Sequence, residues 1–419
     1  MRRGRALALS LHVALAAGLT AAAAQTATPG AATSGAAVRQ ADEQGLTDLQ
    51  LLGKRVFEDA NLSEPPGVSC SSCHAPGRAF QGNNGSPIPG IAAGSTIDRI
   101  GRRKVPTIMY KTYSPAFGFY KDVDDGKETI EPKGGQFWDG RASDLVDQAA
   151  SPLLDPVEMN NPSIDAVVGK VKAGAYADLV TAVFGKAVFA VPKTAMADLS
   201  SALFAYEATE RFAPFSSKFD DYLRGKAKLS PQEALGFEVF TNPKQGNCIA
   251  CHVGDVKSKD PTDWIFTDFT YDALGVPRNP AIPANADPTT FDLGLCKRPG
   301  IGALLPKDVK LESLCGQFKV PTLRNVAVYG AYYHNAYFTS LHDAVAFYAT
   351  RDTDAKRWYP KLKTGEADKF NDLPGGYKDN VNTEEVPYDR KAGQKPRLTD
   401  ADVDALVAFL KTLTDKGMK

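Results

Sequence analysis

Two pentapeptides, CSSCH at residues 70–74 and CIACH at residues 248–252, set the chemistry of this chain. In a C-x-x-C-H motif the two thiols add across the vinyl groups of a haem, and the adjacent histidine reaches the iron. A single copy can arise by chance or form half of a zinc site. Two copies predict two covalent c-type haems, one held by Cys70, Cys73 and His74, the other by Cys248, Cys251 and His252. Each iron keeps one further face, and what the chain places there separates an electron carrier from an enzyme acting on a small oxidant.

Few side chains can fill those faces. Of five histidines, His12 lies in an export-like segment and His74 and His252 are committed, which leaves His334 and His342. No histidine falls between residues 75 and 251, and no methionine between 197 and 417. Cys296 and Cys315 remain from the six cysteines. Both lie in a loop-rich stretch, so a structural disulfide is expected in preference to a thiol redox role.

The elements that must position these residues read as mainly α-helical. The 419 residues carry 49 basic and 49 acidic side chains, a balance that gives no electrostatic reason for a nucleic-acid partner. Arg2, Arg3 and Arg5 precede an apolar stretch at 6–19 and an Ala22-Ala23-Ala24 cleavage pattern, which predicts a signal peptide over 1–24, export to a periplasm and no stable membrane insertion; an uncleaved anchor is the alternative. A flexible lead-in follows at 25–45. Helical periodicity appears at 46–60, at 196–213 and from about 400 onward, where Thr399 is the expected N-cap. Residues 253–318 and 351–397 read as long ordered loops.

The chain also repeats itself. LGKRVF (52–57) and LGFEVF (235–240) each precede a haem motif, KVPT occurs at 104–107 and 319–322, and an aromatic cluster with a helix-like run follows each, at 136–152 and 332–348. Aligning Leu145 with Leu341 puts Pro152 opposite Tyr348. The expected architecture is two cytochrome-c-like haem domains related by internal duplication, at 46–228 and 229–419, with long loop excursions.

These motifs, together with QFWDGRA, the Gln148–Pro152–Glu158 spacing and VPTLRNVAVYGAYYHN followed by LHDAVAFY, resemble the bacterial dihaem cytochrome c peroxidases, in particular their MauG-like branch. The resemblance covers roughly 46–350 and the last helix. It implies a peroxidatic N-terminal haem and an electron-transfer C-terminal haem. Tyr348 stands where the MauG-like branch has a tyrosine ligand in place of methionine, and the second half has no internal methionine to offer. The alternatives are a core aromatic, with His342 or His334 as the ligand; His342 points about 100° away from the Leu341–Tyr348 face. His334 is expected at a haem edge as a hydrogen bonder, and Arg324 as a propionate partner.

Opposite the first iron the resemblance implies an open site, because Pro152 cannot ligate. Glu158 is the implied acid–base group for peroxide cleavage, Gln148 the group that orients peroxide, and Trp138 the carrier of an electron hole between haems. The bland readings are a solvated loop acid for Glu158 and a core aromatic for Trp138. Asp139 and Arg141 are expected to hold the Trp138 segment. Many relatives bind calcium between the domains through an asparagine; here that position is Lys104, which offers no ligand oxygen, so calcium stays doubtful.

The function implied is a periplasmic peroxidase that reduces hydrogen peroxide and, through high-valent iron, oxidises an external donor. That donor is a small cytochrome or cupredoxin, or a partner protein modified at a tryptophan. A non-catalytic dihaem electron carrier and a dihaem oxygenase are the rivals. Monomer and homodimer are both compatible with the sequence.

Overall fold

The computed structural model describes residues 43–124 and 127–418. The signal segment and all but the end of the lead-in lie outside the described residues. In chain order the helices are α1 (Asp48–Glu58), α2 (Cys70–Cys73), α3 (Leu145–Leu154), α4 (Ile164–Ala173), α5 (Ala177–Phe184), α6 (Pro192–Glu207), α7 (Lys218–Leu223), α8 (Pro231–Thr241), α9 (Ile301–Leu304), α10 (Leu341–Thr350) and α11 (Asp400–Lys411). None of the described helices is long and apolar enough to cross a membrane.

Two helix crossings carry the fold, and the same device makes both. In the first, α1 lies on α6. A Cβ at Gly53 would sit 2.0 Å from the Ala202 carbonyl oxygen and 2.8 Å from Tyr206 Cβ. In the second, α8 lies on α11, and a Cβ at Gly236 would sit 1.9 Å from the Ala405 carbonyl oxygen and 2.8 Å from Phe409 Cβ. Only glycine lets the backbones come this close. The flanking Leu52, Val56 and Phe57 of α1, and Val239 and Phe240 of α8, then bury completely or nearly so. Capping boxes fix where the chain enters α1 (Thr47 with Gln50), α8 (Ser230 with Glu233) and α11 (Thr399 with Asp402).

Each crossing anchors its own core. The first gathers Leu52, Phe57, Phe80, Met109, Leu199, Tyr206 and Phe212; the second gathers Phe219, Phe240, Trp264, Phe266, Phe347 and Phe409. The change of core falls between Phe215 and Phe219, so α7 belongs with the second core. A smaller cluster holds the Cys296–Cys315 disulfide with Phe117, Tyr271, Leu295 and Leu314.

Several expected helices are shorter or shifted. The 136–152 run is helical only from Leu145, capped by the Asp144 carboxylate, which accepts from Asp147 N (2.9 Å). Residues 136–142 instead form a tight loop closed by a bridge between Gln136 and Ala142, with Phe137 and Gly140 at positive φ. The 332–348 run behaves alike: Tyr332 bridges Phe338, Tyr333 and Ala336 have positive φ, and the helix starts at Leu341. The 196–213 helix begins earlier, with Pro192 in its first turn, and stops at Glu207. Three antiparallel strand pairs were not expected: β1 (Ile91–Ala93) with β2 (Ile100–Lys104), β3 (Gly118–Asp124) with β4 (Lys127–Lys133), and β5 (Tyr271–Asp272) with β6 (Phe318–Lys319).

Candidate haem-binding and peroxide-reaction site

A cavity of about 520 Å³ runs between the two cores, and both C-x-x-C-H motifs line it. None of the four motif cysteines is in a disulfide, and burial pushes the thiols of Cys70, Cys73 and Cys248 up to about 12. The imidazole of His74 holds the Phe80 carbonyl through Nδ1 (3.0 Å), and that of His252 holds the Phe266 carbonyl (3.1 Å). A carbonyl only accepts, so Nδ1 carries the proton in each ring and Nε2 keeps its lone pair. Burial holds both histidines neutral, each lowered to about 4. Thiols outside any disulfide, a fixed tautomer and largely apolar walls fit two covalently attached haems, whose chemistry when bound is one-electron redox and small-ligand binding at iron.

The segments behind the histidines match. Thr107 Oγ1 donates to the Ala79 carbonyl (2.6 Å), and Thr322 Oγ1 donates to the Ile265 carbonyl (2.6 Å), so each KVPT threonine pins the residue next to the carbonyl that its half's histidine holds.

On the wall of the first motif's half stand Gln148, Pro152 and Glu158, all lining the cavity. Pro152 sits in the last turn of α3, where its missing N–H and ring leave an apolar surface. Glu158 follows in a short loop and is raised to about 7, chiefly because burial disfavours its charge; Asp155 adds to this and Arg141 opposes it. Glu158 is partly buried and lines the cavity. Its loop is held from outside: Ser95 N donates to the Glu158 carbonyl (2.7 Å), and Arg99 Nη1 donates to the Pro156 carbonyl (2.9 Å) and to Asn160 Oδ1.

On the second half's wall, Leu341, Ala344, Val345 and Tyr348 project from α10 into the cavity. Tyr348 packs between the rings of Tyr333 (5.8 Å) and Tyr388 (5.7 Å), and burial raises its phenol above the usual range. His342, one residue along the helix from Leu341, points elsewhere: it is exposed, beside Asp343 and Asp404. His334 does line the cavity, stacked on Phe318 with ring centroids 3.5 Å apart and 8° between planes.

Trp138 occupies the wall between the halves, 9 % exposed. Its Nε1 donates to the Lys104 carbonyl (2.8 Å), and its own carbonyl accepts from Lys319 N (2.8 Å). Asp139 pairs with Arg103 (2.6 Å) and Arg141 (3.2 Å), and Arg103 continues to Asp292 (2.6 Å). Arg141 also covers the Phe137 ring at 3.6 Å. The sequence flagged Asp139 and Arg141 and missed Arg103 and Asp292.

One expectation fails. Arg324 is not available to a propionate: it is fully buried away from the cavity wall, paired with Asp220 (2.9 and 3.1 Å), and donates to the Trp264 and Pro261 carbonyls (2.8 and 3.0 Å). A guanidinium with four of its five donors engaged inside the second core holds that core together.

Against known proteins, residues 47–228 match the family model described as di-haem cytochrome c peroxidase. The chain is 37 % identical over 377 residues to the methylamine utilization protein MauG of Paracoccus denitrificans, covering 88 % of this chain and 89 % of that protein. It is 29 % identical over 304 residues to the cytochrome c551 peroxidase of Pseudomonas aeruginosa, covering 70 % of each. The crystal structure of the diheme peroxidase BthA from Burkholderia thailandensis superposes with a TM-score of 0.81 at 43 % identity, covering 88 % of this chain and 86 % of that one. Motifs, cavity and relatives agree: the chain belongs to the di-haem cytochrome c peroxidase family, in its MauG-like branch.

Proposed function

We propose that this enzyme is a periplasmic peroxidase in which His74 would hold the haem that serves hydrogen peroxide, and His252 and Tyr348 would hold the second. The observation that carries this reading is the asymmetry of the cavity: the α3 wall presents Pro152 with a carboxyl behind it, and the matching place on α10 presents a phenol. The matched glycine crossings, KVPT threonines and tight loops support an internal duplication in which the two haem sites have diverged at this point.

Glu158 takes the proton from the near oxygen of peroxide and returns it to the far oxygen, so the O–O bond breaks with water as leaving group. A carboxyl raised to about 7 holds either protonation state near neutral pH, as this shuttle requires. Gln148 orients the peroxide. Two electrons and two protons complete its reduction to two waters. The electrons come from outside, supplied by a small cytochrome or cupredoxin or by a tryptophan on a docked protein, and Trp138 links the two halves for their passage. As a ligand of the second haem, the Tyr348 oxygen would favour the oxidised states of its iron.

The test is spectroscopic, on the holoprotein. Resonance Raman bands of a coordinated tyrosinate, lost in Tyr348→Phe, together with a high-spin optical band that peroxide perturbs, are expected. Two six-coordinate low-spin centres inert to peroxide would leave only an electron carrier.

A further inference from the structure

The cavity holds an imbalance of charge that the residues discussed so far do not resolve. Lys104 and Lys319, the two lysines of the repeated KVPT segments, are each only 4 % exposed, and both line the cavity together with the partly buried Lys111. The ammonium of Lys104 meets only neutral groups: Gln81 Oε1, the Val105 carbonyl (3.2 Å) and the face of Tyr329 at 4.6 Å from its centroid. That of Lys319 meets the Gly135 carbonyl. Among the described residues none of the three forms an ion pair with a carboxylate. Three acids of the cavity lining are already paired with arginines: Asp139 with Arg103 and Arg141, Asp292 with Arg103, and Asp372 with Arg278.

A buried ammonium without an anion is costly, and proteins rarely keep one. Here the charges stand at equivalent positions of two matched segments, on the wall that flanks Trp138. We propose that Lys104 and Lys319, with Lys111 beside them, are the counter-ions of the haem propionates; this rests on the dihaem reading above. Each haem brings two propionate carboxylates, so the site lacks anions of the kind these ammoniums need. In the protein alone, burial lowers Lys104 to about 7 and Lys111 to about 8 and depresses Lys319 further, the direction expected of cations awaiting a partner.

The test uses full-length holoprotein carrying Lys104→Met or Lys319→Met, with Lys→Arg at the same positions as the conservative controls. Spectroelectrochemical titration is expected to show the reduced state of one haem disfavoured by on the order of tenfold in each Met variant. That is the effect of losing one unit charge roughly 12 Å from the iron at an effective dielectric of about 20. Arg is expected to restore the wild-type value, and the unfolding temperature to stay near wild type, which separates ion pairing from packing. Redox-difference infrared spectra of the unsubstituted protein give a second measurement that needs no variant, and ionised propionates at neutral pH are expected there. Wild-type potentials in both Met variants with both haems attached would overturn the proposal, as would protonated propionates in the infrared spectrum. A wild-type chain carrying fewer than two covalent haems by pyridine haemochrome would instead sink the dihaem reading.

Discussion

Replacing Glu158 with glutamine keeps the shape of the pocket and removes the proton carrier. The native carboxyl sits at about 7 because burial penalises its charge. Its base form, needed first to accept the peroxide proton, accumulates as pH rises: roughly a tenth at pH 6, half at pH 7 and nine-tenths at pH 8. The second-order rate of peroxide reaction should therefore climb about tenfold from pH 6 to pH 8 and level off above. A positioned general acid–base is worth about 100- to 10,000-fold. Glu158→Gln should lose that factor at pH 8, where the native base is fully armed, and lose less at pH 6. Its profile should be flat, since an amide does not titrate in this range. Stopped-flow mixing with peroxide, followed in the Soret region, measures both quantities. A glutamine variant within roughly threefold of wild type at pH 8, or one that keeps the native pH limb, would refute the proton-shuttle role.

The same loop offers a steric test: in Gly94→Ala a Cβ would meet the Val157 carbonyl oxygen at 2.5 Å and the Glu158 carbonyl oxygen at 2.8 Å, so the Glu158 loop must move by most of an ångström. A displacement of that size at a catalytic group costs on the order of 100-fold, and the peroxide rate should fall while the spectrum of the second haem is unchanged. Asp415→Ala removes a buried acceptor for Tyr110 Oη (2.7 Å), Asn325 Nδ2 (2.8 Å) and Ser216 N (2.9 Å), and urea titration should show a loss of about 3–5 kcal/mol. Replacing Cys296 and Cys315 together by serine releases a loop with a sequence separation of 19, for an expected loss of about 3 kcal/mol in the same assay and little change in peroxide rate.

What the sequence made legible follows from which forces are local. The haem motifs, the Thr399 cap and the apolar stripe of α1 are patterns within a few residues, and each stands where its pattern put it. The two long aromatic runs looked helical because their spacing fits a helix. They open instead as tight loops, in which Phe137 and Tyr333 take positive φ. Arg324 shows the opposite limit: its partner Asp220 lies 104 positions away, and no local pattern announces a pair of that kind. The lysines of KVPT were visible as a repeat, but their burial against neutral acceptors was not.

That repeat also explains why the two halves act as one site. Lys104 N donates to the carbonyl of His334 (2.7 Å), and Lys319 N donates to the carbonyl of Trp138 (2.8 Å). Each half therefore completes the aromatic loop of the other, and Trp138 Nε1 returns a bond to the Lys104 carbonyl. A tryptophan whose indole is tied to the backbone of one half and whose carbonyl is tied to the backbone of the other has little freedom to turn, so the wall it forms between the two histidine-bearing pockets is fixed by the chain. Splitting the halves would leave two half-built walls with unpaired amides. The two KVPT segments are thus coupled at Trp138, and the asymmetry between Pro152 and Tyr348 has a rigid frame in which to matter.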